Sequence, residues 1–245
     1  AEAWTLEGVR VVLTAVSAEI ALGGAHQFVG AAGSSMIGSR INAGIERTAL
    51  PHETLDGRPG VFVSMAMPPD EREGMLEEIE LRIALSSLIP TISVFDAAIE
   101  DVPGETVDVH DRFSISSKRW KGYDTERELN DHKLCVLPTT TGEFIYEKAY
   151  KVCSNGTDGH FVCFTESETT AVTAVAAAKD ALASVDGAAP MGYGLEQVFR
   201  ELDYIPSLRD KIEDSKVPDG VNSILNLLMF GASPELMRQA MTVSL

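Results

Sequence analysis

The polar side chain whose setting most demands a chemical explanation is Asn226. It lies inside the apolar run 221–230, among Ile224, Leu225, Leu227 and Leu228. A buried amide must find hydrogen-bond partners or cost about 1–3 kcal/mol. Such a residue either bonds a strand edge as a structural amide or belongs to a site. A second amide, Asn42, precedes Ala43-Gly44. That pairing suits a tight turn and leaves an amide able to hold a ligand carbonyl. Pro90-Thr91, with Ser93 close by, is the third candidate. Proline fixes the turn and removes a donor. The Thr and Ser hydroxyls then either satisfy the freed backbone or bond a ligand.

Other chemistries lack their signatures. No Gly-x-Ser-x-Gly elbow occurs, and Ser34-Ser35 and Ser86-Ser87 read as structural pairs. No GxGxxG or GxxxxGK[ST] loop is present for a nucleotide. Cys135, Cys153 and Cys163 have no metal-ligand spacing and sit in apolar, strand-like runs, which predicts buried, inert thiols. The five histidines are scattered without an i, i+4 pair, so no metal site is expected. Charge points the same way. With 20 basic against 37 acidic residues the chain carries −17, which disfavours nucleic acid and anionic membrane as partners. No apolar run approaches the roughly 20 residues of a membrane span. An odd number of thiols without a secretory segment predicts a cytoplasmic protein.

These candidates must be positioned by regular elements. Residues 9–15, VRVVLTA, read as a strand. Ser17 predicts the cap of a helix running to about Val29, weakened by Gly23-Gly24. Residues 61–67 form a second strand, ended by Pro68-Pro69. Asp70-x-x-Glu73 reads as a capping box, and Met75, Leu76, Ile79 and Ile83 recur at helical spacing behind it. Residues 92–95 give another apolar piece. Residues 101–131 are polar and mixed, which predicts a loop-rich connection with one irregular strand around 112–115. Strands follow at 134–138 and 143–153, then at 160–165 after the turn-rich 154–159. Thr165-x-x-Glu168 reads as a capping box for an Ala-rich helix over 169–185, stopped by Gly187. A short helix is predicted around 195–202. Ser233 and Pro234 open a last helix. Each half reads as strand, helix, strand with further strands and a second helix. The economical architecture is α+β: two ferredoxin-like lobes, residues 1–133 and 134–245, with antiparallel sheets and helices on one face. A doubly wound α/β sheet is the rival, and it lacks its nucleotide loop.

Between the first two strands lies LPHETLDGRPGV, residues 50–61. Its Asp-Gly and Pro-Gly pairs predict a connection of turns. Taken with Ala43-Gly44-Ile45-Glu46, it resembles the AGI…P-x-E-T-P-D-G-R-P-G-V segment of the formylmethanofuran:tetrahydromethanopterin formyltransferase family. The start of the chain, and residues 90–97 (PTISVFDA), 142–145 (GEFI) and 218–221 (PDGV), resemble further family segments in the same order. The resemblance implies an enzyme of two ferredoxin-like lobes, usually a homotetramer. It would move a formyl group between the amine of methanofuran and N5 of tetrahydromethanopterin, with no bound cofactor or metal. The family's late-strand Glu, its expected acid or oxyanion partner, falls at Asn226, and the Glu of its CxxEAGI piece falls at Asn42. Asn226 is then the oxyanion donor, and Asn42, Thr91 and Ser93 are substrate-binding residues. A non-catalytic paralogue or subunit, which keeps the scaffold for assembly with other formyltransferase-complex subunits, is the alternative that these two differences raise.

Overall fold

The computed structural model describes residues 4–30, 32, 38–110, 122–197 and 202–245. Ser34-Ser35 and the strand expected around 112–115 lie outside these residues. Strand β1 (Thr5–Thr14) is followed by helix α1 (Ala18–Val29), where the Ser17 side chain accepts from Ile20 N at 3.3 Å. Strands β2 (Asn42–Ala49) and β3 (Gly60–Met67) precede α2 (Arg72–Ser86) and β4 (Ser93–Asp96). Met75, Leu76, Ile79 and Ile83 all turn inward. The capping box at Asp70 does not form. A 3-10 turn over Pro69–Glu71 occupies that place, and α2 begins at Arg72 without a side-chain cap.

β1 takes β3 along one edge and divides its other edge between β9 (Ala149–Thr165) and β4. With β2 beyond β3, the order in space is β2-β3-β1-β4, all antiparallel. The polar region after β4 contains more strand than its composition suggests. Within it are β5 (Gly104–Asp108), which pairs with β9, and β6 (Thr125–Leu129), which pairs with β7 (His132–Thr139). β8 (Gly142–Glu147) pairs with β7 and runs parallel to β4.

The predicted strand 143–153 divides at Lys148, and the predicted turn at 154–159 is extended chain inside the 17-residue β9. The glycines there serve packing. A Cβ on Gly156 would stand 2.6 Å from the Phe230 ring, so the aromatic needs the bare backbone. β9 thereby carries the sheet from β1 and β5 to β12 (Ser223–Gly231).

Helix α3 (Glu168–Leu182) is capped by Ser167, not by Thr165, whose hydroxyl instead donates to the Ser167 carbonyl at 2.8 Å. It ends at Ala183, so Gly187 is not its stop; Gly187 takes φ 80 just before β10 (Ala188–Pro190). The described part of the predicted helix 195–202 holds the short strand β11 (Glu196–Gln197). Helix α4 (Pro234–Ser244) has Ser233 accepting from Leu236 N at 3.2 Å. β10 and β11 both pair with β12, giving the order β10-β12-β9 at this end.

The whole is a mixed fold of one large, almost wholly antiparallel sheet with four helices among the described residues. One apolar core lies under α1 and α2, a second under α3 and α4, and a third, around Phe230, Leu6 and Met191, joins them. At that junction a Cβ on Gly44 would fall onto the Pro190 carbonyl. Gly44→Ala should therefore lower the unfolding free energy by about 3 kcal/mol, as an overpacked core does. Thermal denaturation reads this directly, and an unchanged melting temperature would mean that β2 and β10 need not dock so closely.

Candidate functional site

The DGRPG stretch builds a hydrogen-bonded anchor around Arg58. Asp56 Oδ2 accepts from Arg58 Nε at 2.8 Å and from the Thr14 hydroxyl at 2.7 Å. Arg58 Nη1 donates to the Thr91 carbonyl at 2.7 Å, and Nη2 donates to Ser93 Oγ at 2.7 Å. Thr91 takes φ 68, and its hydroxyl oxygen accepts from Val16 N at 3.4 Å. Ser93 is buried. The arginine fork thus ties the end of β1 to the start of β4 through the two residues that the sequence offered as binding groups.

A second cluster joins the two ends of the sheet. Glu46 Oε1 accepts from the Ser64 hydroxyl at 2.5 Å; its Oε2 accepts from Arg10 Nε at 2.8 Å and Gly187 N at 3.4 Å. Arg47 bridges Asp186 and Glu53, and the Arg10 and Arg47 guanidiniums lie 4.0 and 4.6 Å from the centre of the Phe62 ring.

Two further carboxyls sit between β4, β8 and β9. Asp96 Oδ1 accepts from Lys151 N at 3.2 Å; Glu147 accepts from Asp96 N at 2.8 Å and pairs with His132 Nδ1 at 2.7 Å. Nearby, the ligand atoms of His110, Asp124 and Cys135 lie within 4.8 Å of one another, and His110 Nδ1 is 2.8 Å from the Tyr146 hydroxyl. The fold rather than sequence spacing makes this group. Burial pushes the Cys135 thiol up, away from the thiolate that a metal would take.

Asn226 and Asn42 lie on either side of the connection from β10 to β11. Gly192 N donates to the Ala43 carbonyl at 2.8 Å, next to Asn42, and Met191 N donates to the Leu228 carbonyl at 2.9 Å, two residues from Asn226. Leu225 and Leu227 face the α3 and α4 core, while Asn226 projects to the opposite face of β12, as Leu228 and Phe230 do. Its Oδ1 is buried without a hydrogen-bond partner among the described residues. Glu196, which sequence reading passed over inside an expected helix, pairs directly with Asn226. Burial pushes its carboxyl above the usual range.

The four candidates therefore form two groups. Asn42 pairs with Ala66 opposite Gly8, whereas Ser93 pairs with Thr14, six residues or about 20 Å further on along the direction of β1.

A family model described as formylmethanofuran-tetrahydromethanopterin formyltransferase matches residues 1–139, more than half of the chain. The chain belongs to this formyltransferase family. It is similar to the formylmethanofuran–tetrahydromethanopterin formyltransferase of Methanothermobacter thermautotrophicus, 29% identical over 98% of this chain and 84% of the relative. The Methanothermus fervidus formyltransferase is 30% identical over 100% of this chain and 85% of the relative. Among solved structures, the Methanosarcina barkeri formyltransferase superposes with a TM-score of 0.87 at 29% identity, covering 100% of this chain and 85% of that one. A formyltransferase/hydrolase complex from Methylorubrum extorquens shares the fold, with a TM-score of 0.82 at 21% identity over 100% of this chain and 83% of that one. Among the described residues no helix is long and apolar enough to cross a membrane.

The buried carboxyls of this formyltransferase-family chain make its stability depend on pH. Desolvation, opposed by the backbone donor of Lys151 and reinforced by the neighbouring Glu147, raises the Asp96 pKa from 3.8 to about 7. A carboxyl whose pKa rises on folding holds its proton more tightly in the native state. The stability that Asp96 contributes is then fully present below about pH 4 and is lost, by on the order of 4 kcal/mol, as pH climbs to 7. Glu147, also raised by burial, acts in the same direction. Asp96→Asn keeps the acceptor for Lys151 N but does not ionise. Its denaturant-unfolding free energy should vary less over this range and exceed that of the parent near pH 8; parallel pH profiles would show that Asp96 is not the source.

Proposed function

We propose that this chain transfers a formyl group between methanofuran and tetrahydromethanopterin. The observation that carries this is the likeness to formyltransferases acting on these carriers over 98–100% of the chain. The transfer is an acyl exchange between two amines. The attacking nitrogen bonds to the formyl carbon, a tetrahedral oxyanion forms, and the C–N bond to the donor breaks as the leaving amine gains a proton. A donor facing that oxyanion lowers the barrier. We assign that donor to Asn226 Nδ2. The burial of its Oδ1 supports the assignment, since it leaves the NH2 end as the one that can reach out. Asn42, on the other side of the β10–β11 connection, is proposed to hold a carrier. Thr91 and Ser93 are proposed to shape the binding surface from the Arg58 anchor, about 20 Å along β1.

The finer architecture follows the same reading. Residues 1–133 and 134–245 are taken as two ferredoxin-like lobes. The succession β1-α1-β2-β3-α2-β4 with spatial order β2-β3-β1-β4 supports this for the first, and β9-α3-β10-β12-α4 supports it for the second. We place the protein in the cytoplasm, as its odd number of thiols predicts, and take it as a homotetramer, as the family resemblance implies, with association with other formyltransferase-complex subunits open to it.

A purified-protein assay with formylmethanofuran and tetrahydromethanopterin tests the activity. Formyl transfer is expected, and Asn226→Ala should lower kcat about 100-fold, the effect of losing one oxyanion donor. No turnover in the parent chain, and none regained with Asn226→Glu, would leave the non-catalytic subunit as the better description. An unchanged kcat in Asn226→Ala would remove Asn226 from the mechanism while leaving the enzyme intact.

A further inference from the structure

Strand β11 is two residues long, and one of them is an acid drawn into the sheet. In the antiparallel register Glu196 stands directly opposite Asn226. Residues so opposed project to the same face with Cβ atoms about 4.5–5.5 Å apart, within reach of a carboxyl and an amide. Asn226 Oδ1 is buried and lacks a donor among the described residues. β12 itself, Ser223–Gly231, has no titratable side chain, and on the face of Asn226 its neighbours are Ile224 and Leu228. No charged group accounts for the raised affinity of Glu196 for its proton; burial alone does.

An amide has two ends of nearly equal size and opposite hydrogen-bonding character. Unless something holds its oxygen, either end can face the substrate, and an outward oxygen repels an oxyanion. A carboxylate at 196 would draw in the NH2 end and turn the oxygen outward. A carboxylic acid does the reverse, because its O–H is a donor for the amide oxygen.

We propose that Glu196 is protonated in the resting protein and donates to Asn226 Oδ1, which makes it the positioning residue that turns the Asn226 Nδ2 hydrogens towards the formyl oxygen. This rests on the assignment of Asn226 as the oxyanion donor. It gives the chain, on a neighbouring strand, a neutral acid beside the position where the resemblance expects one.

Two variants separate orientation from bulk structure. Glu196→Ala removes the donor and should lower kcat about 30-fold, with the KM for either carrier changed less than about threefold. Glu196→Gln supplies an N–H in place of the O–H and should restore kcat to within about fivefold of the parent. A Gln variant as slow as the Ala variant, or an Ala variant as fast as the parent, overturns the positioning role while formyl transfer stands. Infrared spectroscopy reads the same bond without turnover. A protonated-carboxyl stretch at neutral pH should be present in the parent and reduced in Glu196→Gln. Equal intensity in the two overturns the inference even in a preparation that transfers no formyl group, whereas loss of turnover with the expected band overturns only the assigned activity.

Discussion

The Glu46 side chain retains 1% of its surface, and a carboxylate so enclosed must be met by donors or it costs several kcal/mol. The donors come from three places: Arg10 on β1, Ser64 on β3, and the backbone of Gly187 between α3 and β10. The first two are local to the sheet around β1. The third commits the chain leaving α3 to the far side of the molecule. Once Gly187 is held there, β10 runs past Gly44, whose missing side chain admits the Pro190 carbonyl, and Gly192 bonds Ala43. The connection to β11 then starts from a fixed point. A buried ion pair of this kind adds little net stability over a well-packed apolar pair, but it selects one docking of the two ends over others.

The acid groups of the interior are handled in different ways, and the net charge of −17 does not reveal this. Glu46 is matched by a guanidinium and a hydroxyl. Glu53 is held below the usual carboxylate range, first by the Leu50 N–H and then by Arg47. Asp96 has backbone donors, but burial outweighs them and raises it. Glu196 is raised with no opposing partner at all. The Glu53 setting favours a charge and suits a scaffold. The last two favour a neutral acid, a group that can donate. On the face of β12 that carries Asn226, an amide thus stands opposite an acid whose burial favours its protonated form.

The parts of the fold legible in the sequence were those with strong local signals. β1, β3 and the faces of α1 and α2 follow from β-branched runs and helical spacing, and Ser17 and Ser233 cap where their types predict. Where a residue's role is set by a distant partner, local reading failed. Ser154–Gly159 has turn composition, yet it is strand because Phe230 packs on Gly156 from 74 residues away. Thr165 and Asp70 are good caps in isolation, but α3 takes its cap two residues later, at Ser167, and α2 starts at Arg72 with no side-chain cap. In the proposed site, Asn226 stood out because an amide in an apolar strand is anomalous on its own. Glu196 did not, because an acid in a charged stretch is ordinary until strand pairing puts it opposite that amide. Ser93 and Thr91 were visible as hydroxyls, but the Arg58 fork that engages them comes from a segment whose sequence read only as turns.

The proposed role of Asn226, at the position where the resemblance expects a Glu, turns on what an amide and a carboxyl can each do at an oxyanion. A carboxyl donates only while protonated, so it needs burial to stay neutral, and in return it can also pass a proton. An amide donates at every pH and passes none. The proton lost by one amine and gained by the other must then travel between the carriers themselves or through water. What the amide gains in constancy it loses in orientation, since its two ends exchange donor for acceptor on rotation. A carboxylic acid has the same ambiguity but resolves it by moving its proton between oxygens. An amide cannot, so its direction has to be imposed by a neighbour, and the neighbour must be a donor if the amide is to donate outward. On β12 the flanking side chains are aliphatic, and the opposed position on β11 is where such a donor can stand.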